Sequence, residues 1–119
     1  IVINNQIGFT AEMDEGRSSH RSTDIAKITD SLVIRANADE PEAVNAAFEL
    51  AVEYRQKWHT DVYVDILGYR RHGHSEGDQP AYTNPKIYND VIKLRPVWEK
   101  YSDELVAQGV TTPEHIKAT

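Results

Sequence analysis

The chain has 119 residues, 39% of them hydrophobic and 27% charged, with a formal net charge of −6. That length suits one modest core and is short for two ordinary domains. An acidic chain without a basic run is a poor ligand for nucleic acid, the absence of cysteine excludes disulfides and thiolate metal sites, and no apolar stretch approaches a membrane span.

Ile1–Ile3 reads as a short buried strand that stops at Asn4-Asn5. Gly8 through Ser22 is polar and irregular, a surface loop by composition. Ser22 or Thr23 is placed to cap a short helix over Asp24–Ile28, with Asp24 at the positive end of its dipole. Leu32-Val33-Ile34 is the next strand. Asn37-Ala38-Asp39-Glu40-Pro41 then forms a helix start, with Asp39 as cap and proline in the first turn, where its missing N–H costs nothing. The helix that follows places Val44, Ala47, Phe48, Ala51 and Trp58 near one face, the pattern of a helix lying on a sheet.

Asp61–Leu67 is the third strand, apolar on almost both faces as covered parallel strands are. Gly68 through Pro85 is a long loop rich in glycine, histidine and proline. Two helices follow, Lys86–Leu94 and Val97–Gln108, the second stopped by Gly109. Glu114–Thr119 opens a further helical pattern, and residue 1 already lies in a strand-like run. The chain therefore reads as an internal piece of a longer protein, a partial domain over 1–119. The order of strands and helices predicts an α/β fold with a parallel sheet and helices on both faces.

Ligands of open parallel sheets bind beyond the carboxyl ends of the strands. The polar clusters fall there: Asn4-Asn5 after the first strand, Asn37-Ala38-Asp39 after the second, and Tyr69-Arg70-Arg71-His72-Gly73-His74-Ser75 after the third. Order alone thus puts them on one rim. The third cluster concentrates positive charge and suits a compact anion, or else is a solvated turn paired with Glu76 and Asp78. Asn-Asn is either a plain strand end, since asparagine tolerates turns, or a source of an amide oxygen for a hard cation such as magnesium, which shares its shell with phosphate oxygens. His20, His59 and His115 read as surface residues, and His72 and His74 as site candidates. The spacing of His72 and His74 is a poor match to the helical His pairs of zinc enzymes. Asp65 reads as a strand residue facing a helix cap, with no assigned role.

Taken together, Ile3-Asn4-Asn5-Gln6-Ile7-Gly8-Phe9-Thr10, Arg17-Ser18-Ser19, Thr23-Asp24-Ile25, Asn37 through Val44, and Tyr69 through His74 followed by Glu76 and Pro80 resemble the decarboxylating component of 2-oxoglutarate dehydrogenase. The resemblance runs over essentially the whole chain in order and spacing. Gly16-Arg17-Ser18-Ser19 and Tyr82-Thr83-Asn84-Pro85 look closer to the 2-oxoadipate branch of that family.

The resemblance implies a thiamin diphosphate-binding domain of transketolase-like type. It implies magnesium held by the Asn5 side chain and the Ile7 carbonyl, together with an aspartate of a Gly-Asp-Gly sequence that this chain does not contain. It puts His74 near the cofactor diphosphate. Ser75 stands where 2-oxoglutarate dehydrogenases usually carry asparagine. In two-chain relatives a serine here can be phosphorylated, and phosphate at Ser75 would repel the diphosphate.

The implied reaction is oxidative decarboxylation of a 2-oxo acid, 2-oxoglutarate first and 2-oxoadipate second. The acyl group passes to lipoamide on a partner dihydrolipoamide acyltransferase, in a complex that includes dihydrolipoamide dehydrogenase and a homodimer of the parent chain. The compartment implied is the mitochondrial matrix in a eukaryote and the cytoplasm in a bacterium. No residue of this chain is assigned as proton-transfer base. The rival readings are another thiamin diphosphate enzyme such as a transketolase, against which His72-Gly73-His74 argues, and a non-catalytic phosphate-binding α/β module.

Overall fold

The structure is a computed structural model and describes residues 1–118. Strands β1 (Val2–Asn4), β4 (Leu32–Asn37) and β5 (Val62–Leu67) form a parallel sheet in the order β1-β5-β4. A small antiparallel hairpin, β2 (Ile7–Gly8) with β3 (Ala11–Glu12), follows β1 directly. Helix α1 (Pro41–Trp58) connects β4 to β5. After β5 come α2 (Pro80–Thr83), α3 (Pro85–Val91), α4 (Val97–Ala107) and α5 (Pro113–Ala118). Thr119, the last residue of the expected tail helix, lies outside the described residues.

Alternation along β5 splits its side chains between two environments. Val62, Val64 and Ile66 join Ile34 and Ala36 of β4 against Val44, Ala47, Phe48 and Ala51 of α1. The alanines at the centre let helix and sheet backbones come close, and β-branched strand residues fill the space around them. Trp58 does not join this core. It is 57% exposed and packs on Tyr54 and Lys57 in the last turn instead. The helix ends at His59, which is left-handed (φ 53°) and returns its N–H to the Arg55 carbonyl at 2.9 Å.

The opposite face of β5 carries Asp65, 2% exposed. Its carboxylate takes the Arg35 Nε hydrogen bond at 3.1 Å and the Thr23 hydroxyl at 3.4 Å, and the Arg35 guanidinium also donates to Thr23 Oγ1 at 2.8 Å. Thr23 precedes a short 3-10 helix, Asp24–Lys27, whose Ala26 is buried. Helical segments therefore sit on both faces: α1 on one, the 3-10 turn pinned by Thr23 on the other. Helix α1 packs chiefly on β4 and β5, and Ile3 of β1 is left 69% exposed at the sheet edge.

Several local expectations are corrected. β4 runs three residues beyond Ile34, to Asn37, because Arg35 has a partner on the buried face and Asn37 still pairs with Leu67. Thr23 caps nothing with its side chain, since its hydroxyl is committed to Arg35 and Asp65. Asp24 instead pairs with Lys27 and receives the Arg21 N–H, and these bonds hold its carboxyl below the usual carboxylate range. Asp39 is not the cap of α1. Glu40 occupies that position without a side-chain bond, and Asp39 is bonded elsewhere. The Gly8–Ser22 loop contains the β2–β3 hairpin, and the Gly68–Pro85 loop ends in α2.

Candidate functional site

The parallel register sets Asn4, Leu67 and Asn37 side by side at the carboxyl end of the sheet. Hydrogen bonding continues one residue past each strand. Gly68 N donates to Asn4 O at 2.9 Å, and Ala38 N donates to Leu67 O at 2.8 Å. Gln6 closes the zip from the other side, its amide Nε2 donating to Gly68 O at 2.8 Å. Gly68 is glycine for a steric reason, as an added Cβ would stand 2.8 Å from the Ala38 Cβ. The three polar clusters do leave one rim, and Gly68 is the residue that ties their bases together.

Asn5 is the first residue past the paired length of β1. Its Oδ1 accepts a long bond, 3.4 Å, from the Ile7 N–H, in the manner of an Asx turn. Two non-glycine residues nearby are left-handed, Gln6 at φ 63° and Phe9 at φ 56°. Such conformations cost roughly 1–2 kcal/mol each and persist only where surrounding bonds enforce them. Gln6 has its amide bond to Gly68. Phe9 has its carbonyl under the Thr83 hydroxyl at 3.4 Å and its ring 4.8 Å from the His74 ring.

Asn5 and Ile7 line one cavity of about 380 Å³ between the end of β1 and the segment 12–22, together with Asn4, Arg17 and Ser22. His74 does not line it. Its exposed ring stands over Phe9, on the loop that folds across the hairpin. The loop is held by its backbone: His74 N donates to Asp78 Oδ2 at 2.8 Å, and a Cβ on Gly73 would collide with the Asp78 carbonyl at 2.1 Å. The Tyr88 hydroxyl donates to Arg70 O, and burial pushes the pKa of that hydroxyl up.

The charges of the rim divide into two groups. Arg71 donates to Leu94 O at 3.1 Å and to the Tyr69 hydroxyl at 3.3 Å, and lies over the Tyr69 ring. Asp39 accepts from Lys100 Nζ at 2.7 Å and from Tyr69 at 3.4 Å. Asp39 therefore fastens α4 to the rim and Arg71 fastens the segment before α4 to the start of the loop, so both act in architecture. His72 and Ser75 are exposed. Among the described residues no group of three or more His, Cys, Asp or Glu is placed to hold a metal, so His72 and His74 form no such centre. His20, His59 and His115 are exposed, as expected.

The oxygens of Asn5 and Ile7 are neutral donors of the kind a hard cation accepts, and they come from residues two apart on a turn enforced by Gln6. Sequence reasoning gave Gln6, Arg17 and Ser22 no individual role in the site, although Gln6 and Arg17 fall in the motifs that carry the resemblance and Ser22 is a candidate cap. Gln6 follows Asn4-Asn5 as a third neutral amide with nothing local to mark its distant partner, and the other two sit in a polar, irregular run.

The dehydrogenase E1 component family matches residues 1–119, the whole chain. The chain belongs to the dehydrogenase E1 component family. Among curated proteins it is 49% identical over 114 residues to the mitochondrial 2-oxoglutarate dehydrogenase of Dictyostelium discoideum, covering 96% of this chain and 11% of that protein. It is 48% identical over 118 residues to the 2-oxoglutarate dehydrogenase E1 component of Haemophilus influenzae, covering 98% and 12%. The Bacillus pumilus protein of the same name is 45% identical over 114 residues, covering 96% and 12%. The chain thus spans about a tenth of the length of these E1 relatives. The rim carrying Asn5 and Ile7 and the loop carrying His74 both lie inside the matched region.

Proposed function

We propose that this chain is the diphosphate-side portion of a longer, thiamin diphosphate- and magnesium-dependent E1 enzyme that oxidatively decarboxylates 2-oxoglutarate. The observation that carries the reading is the pair of oxygens from Asn5 and Ile7 at the carboxyl rim of a parallel sheet, in a chain that matches the E1 family throughout. The names of the relatives support 2-oxoglutarate as the substrate. The motifs Gly16-Arg17-Ser18-Ser19 and Tyr82-Thr83-Asn84-Pro85 support 2-oxoadipate as the second reading.

The residues fit the group in kind. Asn5 Oδ1 and the Ile7 carbonyl would hold magnesium, and His74 would stand beside the diphosphate from the loop above Phe9. When bound, thiamin diphosphate supplies the electron sink for loss of carbon dioxide. This chain's own residues bind and orient. Asn5 and Ile7 fix a cation through neutral oxygens, and the Gln6–Gly68 bond keeps their turn from relaxing. The bond from His74 N to Asp78 fixes the base of the imidazole. A carboxylate ligand would come from the rest of the enzyme. The acyl acceptor would be lipoamide on a dihydrolipoamide acyltransferase, in a complex with dihydrolipoamide dehydrogenase. The parent chain would be a homodimer, and mitochondrial in a eukaryote.

Calorimetry of the full-length gene product with thiamin diphosphate, with and without magnesium, tests the cofactor. Turnover with 2-oxoglutarate, 2-oxoadipate and pyruvate at matched concentration tests the substrate. Magnesium-dependent binding and a preference for 2-oxoglutarate are expected. No magnesium-dependent binding, or a preference for pyruvate, would overturn the proposal.

A further inference from the structure

The cavity that Asn5 and Ile7 line has a second feature. Two of its wall residues carry buried hydrogen-bonding atoms without a partner: Arg17 Nε and Ser22 Oγ. Arg17 makes no ion pair among the described residues, although the chain carries 19 carboxylates. Glu12 lines the same cavity and bonds neither atom, its own backbone N–H being taken by Glu15. The other serine of the wall, Ser19, is committed to the Arg21 carbonyl at 2.8 Å.

Buried donors are almost always matched, because stripping water from an N–H or O–H without giving it an acceptor is costly. For Arg17 the unmatched group is the Nε N–H of a half-buried side chain. Arg17 and Ser22 line one cavity, which makes a single acceptor bound there the simplest partner for both. Arginine recognises planar carboxylates and phosphates through its fork of N–H groups, and a hydroxyl completes such a shell. A cation alone offers neither donor an acceptor, and an apolar ligand would likewise leave both unmatched.

We propose that Arg17 and Ser22 form an oxyanion subsite beside Asn5. The ligand chemistry is a phosphoryl or carboxylate oxygen. Resting on the function proposed above, the source is either the cofactor diphosphate or the carboxylate of the 2-oxo acid. In either case Arg17 supplies positive charge from the 12–22 segment, while Asn5 and Ile7 on the β1 side offer only neutral oxygens.

The test uses the full-length gene product and its Arg17→Gln, Arg17→Lys and Ser22→Ala variants. Calorimetry measures inorganic pyrophosphate and thiamin diphosphate with magnesium, and steady-state assays at saturating cofactor measure KM and kcat for the 2-oxo acid. If the oxyanion is the diphosphate, Arg17→Gln weakens pyrophosphate and cofactor by about tenfold or more and leaves KM unchanged. If it is the substrate carboxylate, cofactor affinity holds while KM rises by a similar factor with little change in kcat. In both cases Arg17→Lys, which keeps the charge, recovers part of the loss, and Ser22→Ala shows a smaller loss in the same parameter.

Wild-type behaviour of Arg17→Gln in every measurement would overturn the subsite. So would a loss that Arg17→Lys fails to relieve while Ser22→Ala is silent, which would assign Arg17 to packing alone. A wild-type protein that binds no thiamin diphosphate would sink the function proposed above. The pyrophosphate comparison would still score Arg17.

Discussion

Gly68 offers the sharpest test of the rim. A methyl group at this position would lie 2.8 Å from the Ala38 Cβ, about 1 Å inside ordinary carbon–carbon contact. The backbone of Gly68 is not left-handed, so the cost of Gly68→Ala is steric rather than conformational. Neither neighbour can turn away, because Ala38 N is bonded to Leu67 O and Gly68 N to Asn4 O. Overpacking of this kind costs about 1–3 kcal/mol. The cheapest relief is to open the Asn4–Gly68–Ala38 zip, which also loosens the Gln6 amide bond and the turn that presents Asn5. If binding needs the closed rim, apparent affinity falls by the closed fraction, and 1–3 kcal/mol corresponds to a loss of about 5- to 150-fold. Calorimetric titration of the full-length Gly68→Ala protein with thiamin diphosphate and magnesium reads this directly. The double variant Gly68→Ala/Ala38→Gly moves the methyl group across the contact without changing the total volume, and is expected to recover most of the loss. Wild-type affinity in the single variant, or no recovery in the double, would refute the argument that this contact holds the rim closed.

Asn5→Ala is expected to weaken magnesium-dependent cofactor binding by about 10- to 100-fold, while Asn4→Ala, whose main-chain bond to Gly68 survives, has a smaller effect. Equal cofactor affinity in wild type and Asn5→Ala would remove Asn5 from the metal. The Lys100–Asp39 bond raises the pKa of Lys100 above its ordinary 10.5, so its contribution to docking α4 is fully present below about pH 10.5 and is lost as pH rises through the higher folded value. Fluorescence of Trp98 across alkaline pH, taken as the difference between the full-length protein and its Trp98→Phe variant, should show this transition, and Lys100→Met should abolish it. An identical alkaline profile in both proteins would show that the pair does not hold the helix.

The layered part of the fold was legible because it rests on periodicity. Val44, Ala47, Phe48 and Ala51 recur at helical spacing, and Val62, Val64 and Ile66 alternate, so the face of α1 and the face of β5 that meet could be read in advance. Trp58 broke the pattern because helical spacing carried it past the end of the sheet, where there is nothing to cover it. The second strand extends three residues past its apolar run because Arg35 is held on the buried face. Its partner, Asp65, lies 30 positions away and becomes visible only once β4 and β5 are paired. The same pairing explains why Asp65 lacked a role in the sequence. The cap expected at Asp39 fails for a related reason: a cap is a local inference, and Lys100, which occupies the Asp39 carboxylate, lies 61 positions away.

The site separates residues that speak through composition from those that speak through placement. Asn4 and Asn5 are indistinguishable as a dipeptide. The register distinguishes them, since Asn4 pairs with Leu67 and spends its carbonyl on Gly68, while Asn5 begins the turn beyond the sheet. Gln6 gives no local sign of a left-handed backbone. The amide that enforces that conformation donates to a carbonyl 62 positions away. Arg17 is the extreme case. A residue whose partner lies one helical turn away leaves a trace in charge spacing, as Arg95 does with Glu99. Arg17 has no such partner among the described residues. It is recognised only once the cavity around it is known and its Nε is seen to be buried there without an acceptor.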